Sequence, residues 1–408
     1  MHRESTKRWL AWALFNSEVE ELNSYQAEEI EQILKEMCDR TGIRFPADSI
    51  DKENNPIRLT LDPMTWSHRP LIAYVVTDLI VGRLLCPFLM RSMGFSRLTG
   101  ELMDSADVRF WYKPRRLKRV RKGQKTVPVG VKHLRPKVDL AEALQGSNSG
   151  AGAGEGPDDD ATLDLEETTS DGVFLLHGVG VGPLPYLDLL KRIFKKMDVP
   201  MLVIEVPYIA LRVAEPDIRG PDATAEAIAT ALRSVNMERA TIVSHSFGTV
   251  MTSWLLRHCR KCIHSVVLID PVSLQLARAD VAHAAIHRRP MSSVDVLLEY
   301  FVFREQSIAA TLARHFVWHR NVIWANDLPK NGRAVAVLSE NDVIVPSAAV
   351  KEYLKDHDVD CVWLEKCGHA GFIVREDALN LIVDEVVKRA NTPRLRIDED
   401  YNLMTEEK

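Results

Sequence analysis

From residue 173 onward the chain alternates short, wholly apolar runs with amphipathic stretches of helical period. Val173-Phe-Leu-Leu176, Met201-Leu-Val-Ile-Glu-Val206, Thr241-Ile-Val-Ser244, Ser265-Val-Val-Leu-Ile269, Ala334-Val-Ala-Val-Leu338 and Val359-Asp-Cys-Val-Trp-Leu364 read as buried strands. Between them, Pro185 to Met197, Ala223 to Val235, the residues after Gly248, and Glu376 to Arg389 read as helices. Strands alternating with helices predict an α/β architecture with a mostly parallel sheet and helices on both faces. From Ser273 to Gly332 the alternation stops and amphipathic helical stretches take over, which predicts a helical cap inserted into the core. Ahead of the core, Trp9 to Phe15 forms an apolar helical run behind Lys7 and Arg8, and Ser17-x-x-Glu20 has capping-box spacing. Ile30, Ile33, Leu34 and Met37 then repeat at helical spacing up to a stop at Gly42. The expected divisions are a helical extension over 1–110, a basic segment and insertion over 111–170, core segments at 171–272 and 333–392, the cap at 273–332 and a tail at 393–408.

Residues 71–90 are apolar enough to cross a bilayer, but Asp78 and Arg83 sit near the middle. Each such charge opposes insertion by about 2.5 to 3.5 kcal/mol, and Pro87 disturbs the last turn. A helix buried against the main domain is the favoured expectation, ahead of an interfacial helix and a span. Residues 113–125 hold eight basic residues in thirteen. Such a run is a solvated loop or a contact for anionic lipid. With apolar 71–90 ahead of it, peripheral membrane contact through both segments is one expected partnership. Residues 146–157 are Gly- and Ser-rich and are followed by acidic residues, a composition that buries no core and predicts a disordered insertion.

Over 408 residues, 46% apolar content supplies a large core, and a formal charge of −5 implies no chain-wide attraction to nucleic acid. A single aromatic-poor basic run adds no recognised nucleic-acid module. The six cysteines form no dense framework and no cleavable signal peptide is visible, so reduced thiols in an intracellular setting, cytoplasmic or membrane-associated, are expected. Cys259-Arg-Lys-Cys262 lacks a second pair at zinc-ribbon distance, and His315 and His319, four apart, lack a third ligand, so no metal and no cofactor is expected.

The chemistry concentrates at strand ends. Thr241 to Thr249 runs an apolar strand through Ser244-x-Ser246-x-Gly248 into a helix. A serine on so sharp a turn needs small neighbours two places away on each side, and Gly248 and Ser244 supply them, although glycine is the commoner residue at 244. The turn puts Ser246 at a helix N-terminus, where negative charge is favoured. His177-Gly178-Val-Gly-Val-Gly182 follows the first core strand, Asp342 lies in Ser339-Glu-Asn-Asp342-Val-Ile-Val-Pro346, and His369 lies in Cys367-Gly-His369-Ala-Gly-Phe372. Together, and in the chain order Ser, Asp, His, residues of roughly 170–390 resemble the α/β-hydrolase superfamily. The first hundred or so residues fall outside that resemblance.

What the resemblance implies is a serine nucleophile at Ser246, a base at His369, an acid at Asp342 with Asp270 as the alternative, and an oxyanion hole from the Phe247 and Val179 N–H groups. The expected activity is hydrolysis of an ester, thioester or amide through an acyl-enzyme, of the carboxylesterase or lipase kind. A catalytically silent binding module and an acyltransferase using the same triad are the alternatives. His245 needs no catalytic role, and His258 and His264 read as flanking surface turns. The cap stretches Leu297-Leu298, Tyr300 to Phe303 and Phe316 to Trp318 predict an apolar pocket or entrance, and hence a small-molecule or lipid substrate with an apolar acyl group.

Overall fold

The computed structural model describes residues 2–45, 56–100, 108–116, 171–213, 220–278, 281 and 293–393. An eight-stranded sheet in the order β1-β2-β4-β3-β5-β6-β7-β8 organises them. Six strands are parallel: β3 (Gly172–Leu176), β4 (Met201–Glu205), β5 (Ala240–His245), β6 (Ile263–Ile269), β7 (Ala334–Asn341) and β8 (Asp360–Gly368). Beyond β4 the edge is antiparallel, with β2 (Arg109–Lys113) against β4 and β1 (Ser96–Leu98) against β2.

The central strands are continuously apolar because both faces are covered. Val173 and Leu175 point into one apolar cluster with Leu189, Ile193 and Ile382, while Phe174 and Leu176 point into the other with Ile228, Val250 and Leu255. The Leu187–Met197 and Glu376–Asn391 helices therefore cover one face, and the Pro221–Ser234 and Gly248–His258 helices the other.

Two strands come from residues expected to be helical or a basic loop. Phe110 and Trp111 of β2 are buried in opposite apolar clusters, so the sheet recruits the N-terminal extension to complete its edge. The start of the basic run is accordingly structured: Lys113 ends β2, and its ammonium lies 3.5 Å from the Phe194 ring centre. The rest of that run from residue 117 and the expected insertion at 146–157 lie outside the described residues.

The extension's helices dock through aromatic donors. In the Arg3–Phe15 helix, Trp12 Nε1 donates to Thr60 Oγ1 (2.7 Å), while Trp318 Nε1 of the cap donates to the Ala13 carbonyl (2.9 Å). The Ser24–Thr41 helix ends at Gly42 with φ +70°. Its capping box is Asn23 with Gln26, not Ser17 with Glu20. Asn16 turns left-handed (φ 53°), so the chain enters a short 3₁₀ turn and Ser17 Oγ bonds to Glu18 and Glu21 instead.

The apolar stretch after Pro70 is one helix, Leu71–Ser92, whose Val75–Leu85 portion is π-helical. It is not the buried helix expected. Asp78, Gly82, Cys86 and Met90 are its buried side, while Leu71 (79%), Phe88 (66%), Ile72 (65%) and Leu84 (60%) are exposed. A guanidinium sits against the widened turns. Arg212, fully buried, donates to the Thr77 carbonyl (2.6 Å), to the Val181 carbonyl (3.2 Å) and to Glu205 (3.1 Å). Gly82 is required there because a Cβ would sit 2.5 Å from Arg212 Nε.

Cys259 and Cys262 are joined in a disulfide, with Cα atoms 5.5 Å apart, which corrects the expectation of reduced thiols for this pair. The Arg260–Cys262 turn between a helix and β6 brings them together. Cys38, Cys86, Cys361 and Cys367 are free thiols.

Candidate active site

β5 ends at His245 and the next helix begins at Gly248, leaving two residues to turn the chain. Ser246 takes that turn with φ 52°, a left-handed conformation that L-residues hold only when their surroundings enforce it. Its N–H donates to the Ile269 carbonyl at the end of β6 (3.0 Å), and its carbonyl accepts from Thr249 N (2.9 Å) and Thr249 Oγ1 (2.7 Å). A Cβ on residue 248 would lie 2.2 Å from the Leu176 carbonyl oxygen, so the backbone itself demands glycine there. Ser244 is wholly buried.

Ser246 Oγ lies 2.9 Å from His369 Nε2, and His369 Nδ1 lies 2.7 Å from Asp342 Oδ2. Asp342 sits just past β7, where its other oxygen accepts from the Ile344 and Val345 N–H groups, each at 2.8 Å. With Nδ1–H given to the carboxylate, Nε2 is the ring's acceptor and the serine hydroxyl is the donor. Burial works against the His369 imidazolium, but the hydrogen bond and charge of Asp342, with the charge of Asp270, outweigh it and hold the pKa above the ordinary histidine value.

The loop after β3 is pinned from both sides. Val206 N–H donates to His177 Nε2 (3.0 Å), so His177 Nδ1–H donates to the Gly178 carbonyl (2.7 Å). Burial, the largest influence, pulls His177 down to about 4 and keeps it neutral. Gly178 N–H donates to Tyr186 Oη (3.0 Å), and a Cβ at Gly178 would lie 3.0 Å from both Ser246 Cβ and His245 Nδ1. Because a trans peptide directs C=O and the next N–H to opposite sides, His177's hold on the Gly178 carbonyl turns the Val179 N–H away from that histidine. No hydrogen bond engages the Val179 or Phe247 N–H among the described residues.

Residues 173–384 match the alpha/beta hydrolase family. The chain belongs to that family. Solved structures with a similar fold include an alpha/beta hydrolase from a Medee basin deep-sea metagenome library, 16% identical, TM-score 0.42, covering 59% of this chain and 94% of that one. A membrane phospholipase A described as a bacterial virulence factor is 13% identical, TM-score 0.42, covering 78% and 96%. A 2-hydroxy-6-oxo-6-phenylhexa-2,4-dienoate hydrolase from Rhodococcus is 18% identical, TM-score 0.40, covering 54% and 91%. At these scores the likenesses add nothing to the family match. No curated protein matches the chain.

In this hydrolase Asp270, the alternative acid, lies at the end of β6 with its carboxylate held by Ser339 N–H (3.1 Å) and Ala370 N–H (2.9 Å). It contacts no ring nitrogen of His369 within hydrogen-bond distance; its nearest imidazole is His245, 3.8 Å away. Burial raises the Asp270 pKa. Ligand atoms of Asp270, Asp342 and His369 lie within 4.8 Å of one another. N–H donors hold both carboxylates.

Tyr186 and His245 form a polar chain that sequence reasoning did not find. Tyr186 Oη accepts from Gly178 N–H and lies 2.6 Å from His245 Nδ1, while His245 Nε2 faces Asp270. Burial, then the neighbouring His369 and His177, keep His245 neutral by lowering its pKa well below the ordinary value. The position of His245 between Ser244 and Ser246 was the available signal. Tyr186, on a short 3₁₀ turn, carries none.

His264 is buried in β6, not at a surface turn, and its Nε2 lies 3.0 Å from the Thr392 carbonyl. His258 pairs with Asp222 (3.1 Å). Neither His315 nor His319 joins a three-ligand cluster among the described residues. Of the cap stretches expected to line a pocket, Phe316 and Val317 line a cavity of about 160 Å³ shared with Tyr208, Phe247, Trp254 and Arg314. Leu297, Leu298 and Phe301 are exposed instead.

Proposed function

We propose that the protein is a serine hydrolase that cleaves an ester, thioester or amide bearing an apolar acyl group. The observation carrying this reading is the hydrogen-bonded chain from Ser246 Oγ through His369 to Asp342, built on three separate strand ends. In the first step Ser246 Oγ attacks the carbonyl carbon while its proton passes to His369 Nε2. Asp342 fixes the imidazole through Nδ1–H and stabilises the imidazolium. The carbonyl oxygen takes up the negative charge and meets the Phe247 and Val179 N–H groups, Phe247 also lying at the start of a helix. Collapse breaks the bond to the leaving group, which takes the proton from His369. Water then repeats the sequence on the acyl-enzyme: its proton goes to His369, and the serine oxygen leaves with that proton. No step needs a cofactor.

Support for an apolar acyl group comes from the cavity bordered by Phe247, the residue after the nucleophile, with Trp254, Phe316 and Val317. At about 160 Å³ it is smaller than the usual site for a drug-sized ligand and suits a short acyl chain. Labelling with a fluorophosphonate probe, followed by turnover of p-nitrophenyl esters of graded chain length, tests both parts. The expected result is one labelled serine, Ser246, and kcat/KM that peaks at short acyl chains. Absence of labelling sinks the hydrolase mechanism, and an optimum at long chains sinks the assignment of the cavity.

A further inference from the structure

The Leu71–Ser92 helix is 22 residues long and contains an 18-residue window of mean hydropathy 1.8, yet most of its apolar side chains face outward. Leu71, Ile72, Leu79, Ile80, Leu84 and Phe88 are all at least 46% exposed. Scattered exposed leucines need no explanation, but a sustained apolar face on one helix marks a surface built to be covered. We propose that this face docks onto an anionic lipid surface, with the helix lying in the membrane plane rather than crossing it.

The inner side of the helix argues for the in-plane arrangement. Cys86 and Met90 belong to the same apolar cluster as Trp111 and Val203 of the sheet, and Arg212 holds the Thr77 carbonyl from within the domain. At the helix N-terminus, Arg69 donates to the Arg304 carbonyl (3.2 Å) and lies over the Tyr300 ring, tying the start of the helix to the cap. A helix fixed along its length in this way cannot be surrounded by acyl chains without stripping those contacts. The cap segment so tied adds exposed Leu297 and Phe301 to the apolar surface.

Charge identifies the occupant. From residue 63 to residue 100 the only carboxylate is Asp78, which is buried and paired with Arg83 (3.0 Å). Arg83, Arg91 and Arg97 are exposed on the same stretch. A second copy docking by two-fold symmetry would bring arginines against arginines, whereas anionic headgroups complement them. Apolar side chains entering the acyl boundary beside cations at headgroup level make the usual pattern of an interfacial helix.

The test is co-sedimentation of the purified full chain with phosphatidylcholine vesicles, with and without phosphatidylserine. Binding is expected to require phosphatidylserine and to weaken as salt rises, because screening shortens from about 10 Å at 0.1 M to about 3 Å at 1 M. Leu84→Gln with Phe88→Gln is expected to lower partitioning at least tenfold, and Arg91→Gln or Arg97→Gln about fivefold each. All four positions are exposed, and circular dichroism of each variant checks folding. Ser246→Ala must bind as the parent does, so docking stands or falls apart from the hydrolase mechanism. A chain left in the supernatant with anionic vesicles overturns the proposal. So does retention after alkaline carbonate washing, which would mean a span, or a dimer that Leu84→Gln dissociates, which would mean a second copy covers the face.

Discussion

The Gly248–His258 helix and the Leu71–Ser92 helix invert one another. The first includes Thr249, Thr252 and Ser253, yet every residue from Gly248 to Leu256 is buried. The second is the more apolar, yet its buried side opens with Asp78 and Gly82 and is held by a guanidinium. Burial of polar groups is tolerated in both because each finds a partner: Thr249 Oγ1 bonds the Ser246 carbonyl, Thr252 Oγ1 the Gly248 carbonyl, and Arg212 bonds Glu205 and two carbonyls. What a helix exposes is thus set by the surface it must meet, not by its mean hydropathy. The buried helix begins two residues after Ser246, the proposed nucleophile, and is expected to be intolerant of change for chemical reasons. The exposed helix is expected to tolerate losses on its apolar face and to fail at its small and polar residues.

The largest effect should come from Ser246→Ala at the head of the buried helix. Turnover is expected to fall by roughly 10⁶-fold, with thermal midpoint and vesicle binding unchanged. If vesicle binding falls too, the two helices are not independent. Next, Asp342→Asn should lower kcat by roughly 10⁴-fold, while Asp270→Asn should do much less. The acid limb of kcat/KM should lie above the ordinary histidine value, because the His369 pKa is raised and only the neutral ring accepts the serine proton. Asp270→Asn removes one of the charges that raise it, so this limb should move to lower pH. Equal losses from the two aspartates, or a limb that moves upward, would break the assignment of roles.

A third expectation concerns acid stability of the loop packed against that helix. His177 is neutral and fully buried in the fold with a pKa of about 4, against about 6.5 in an unfolded chain. Its folded value is depressed, so protons favour the unfolded state: stability is full above about pH 6.5 and declines as pH falls toward about 4, by about 3 kcal/mol at the lower end. Urea midpoints at pH 7, 5.5 and 4 measure this, and a midpoint flat over that window would contradict the neutral, buried ring. The smallest effect belongs to the exposed helix. Gly82→Ala forces a Cβ against Arg212 and should cost about 1 to 3 kcal/mol, whereas Leu79→Ala on the outer face should stay within about 0.5 kcal/mol. A reversed ranking in denaturant titrations would mean the outer face is packed in solution.

The legible parts of the sequence were those fixed by local context. Val173–Leu176 and Ser265–Ile269 announce buried strands because residues on both faces are apolar, and Ser246, Asp342 and His369 stand out because each follows a strand end. β1 and β2 escaped notice for a physical reason: an edge strand of three residues has no period, and Arg109 and Lys113 bound the apolar centre of β2 with charges. Helix 71–92 could not be placed because the same apolar residues fit a core, an interface or a span. The contact that helps fix its inner side, Arg212 with Thr77, joins residues 135 positions apart. Likewise the Gly178–Tyr186–His245 chain depends on a loop meeting the elbow in space.

The edge pairing has one further consequence, for chain connectivity. Lys113 at the end of β2 and Val173 at the start of β3 are both register partners of Met201, one on each side of β4. Two strand spacings separate them, about 10 Å. The chain thus leaves the sheet and re-enters it through a narrow neck at the end of the parallel strands opposite Ser246, Asp342 and His369. Changing the length of the sequence between these two points is therefore expected to leave the register on either side of Met201, and the positions of Ser246, Asp342 and His369, unchanged.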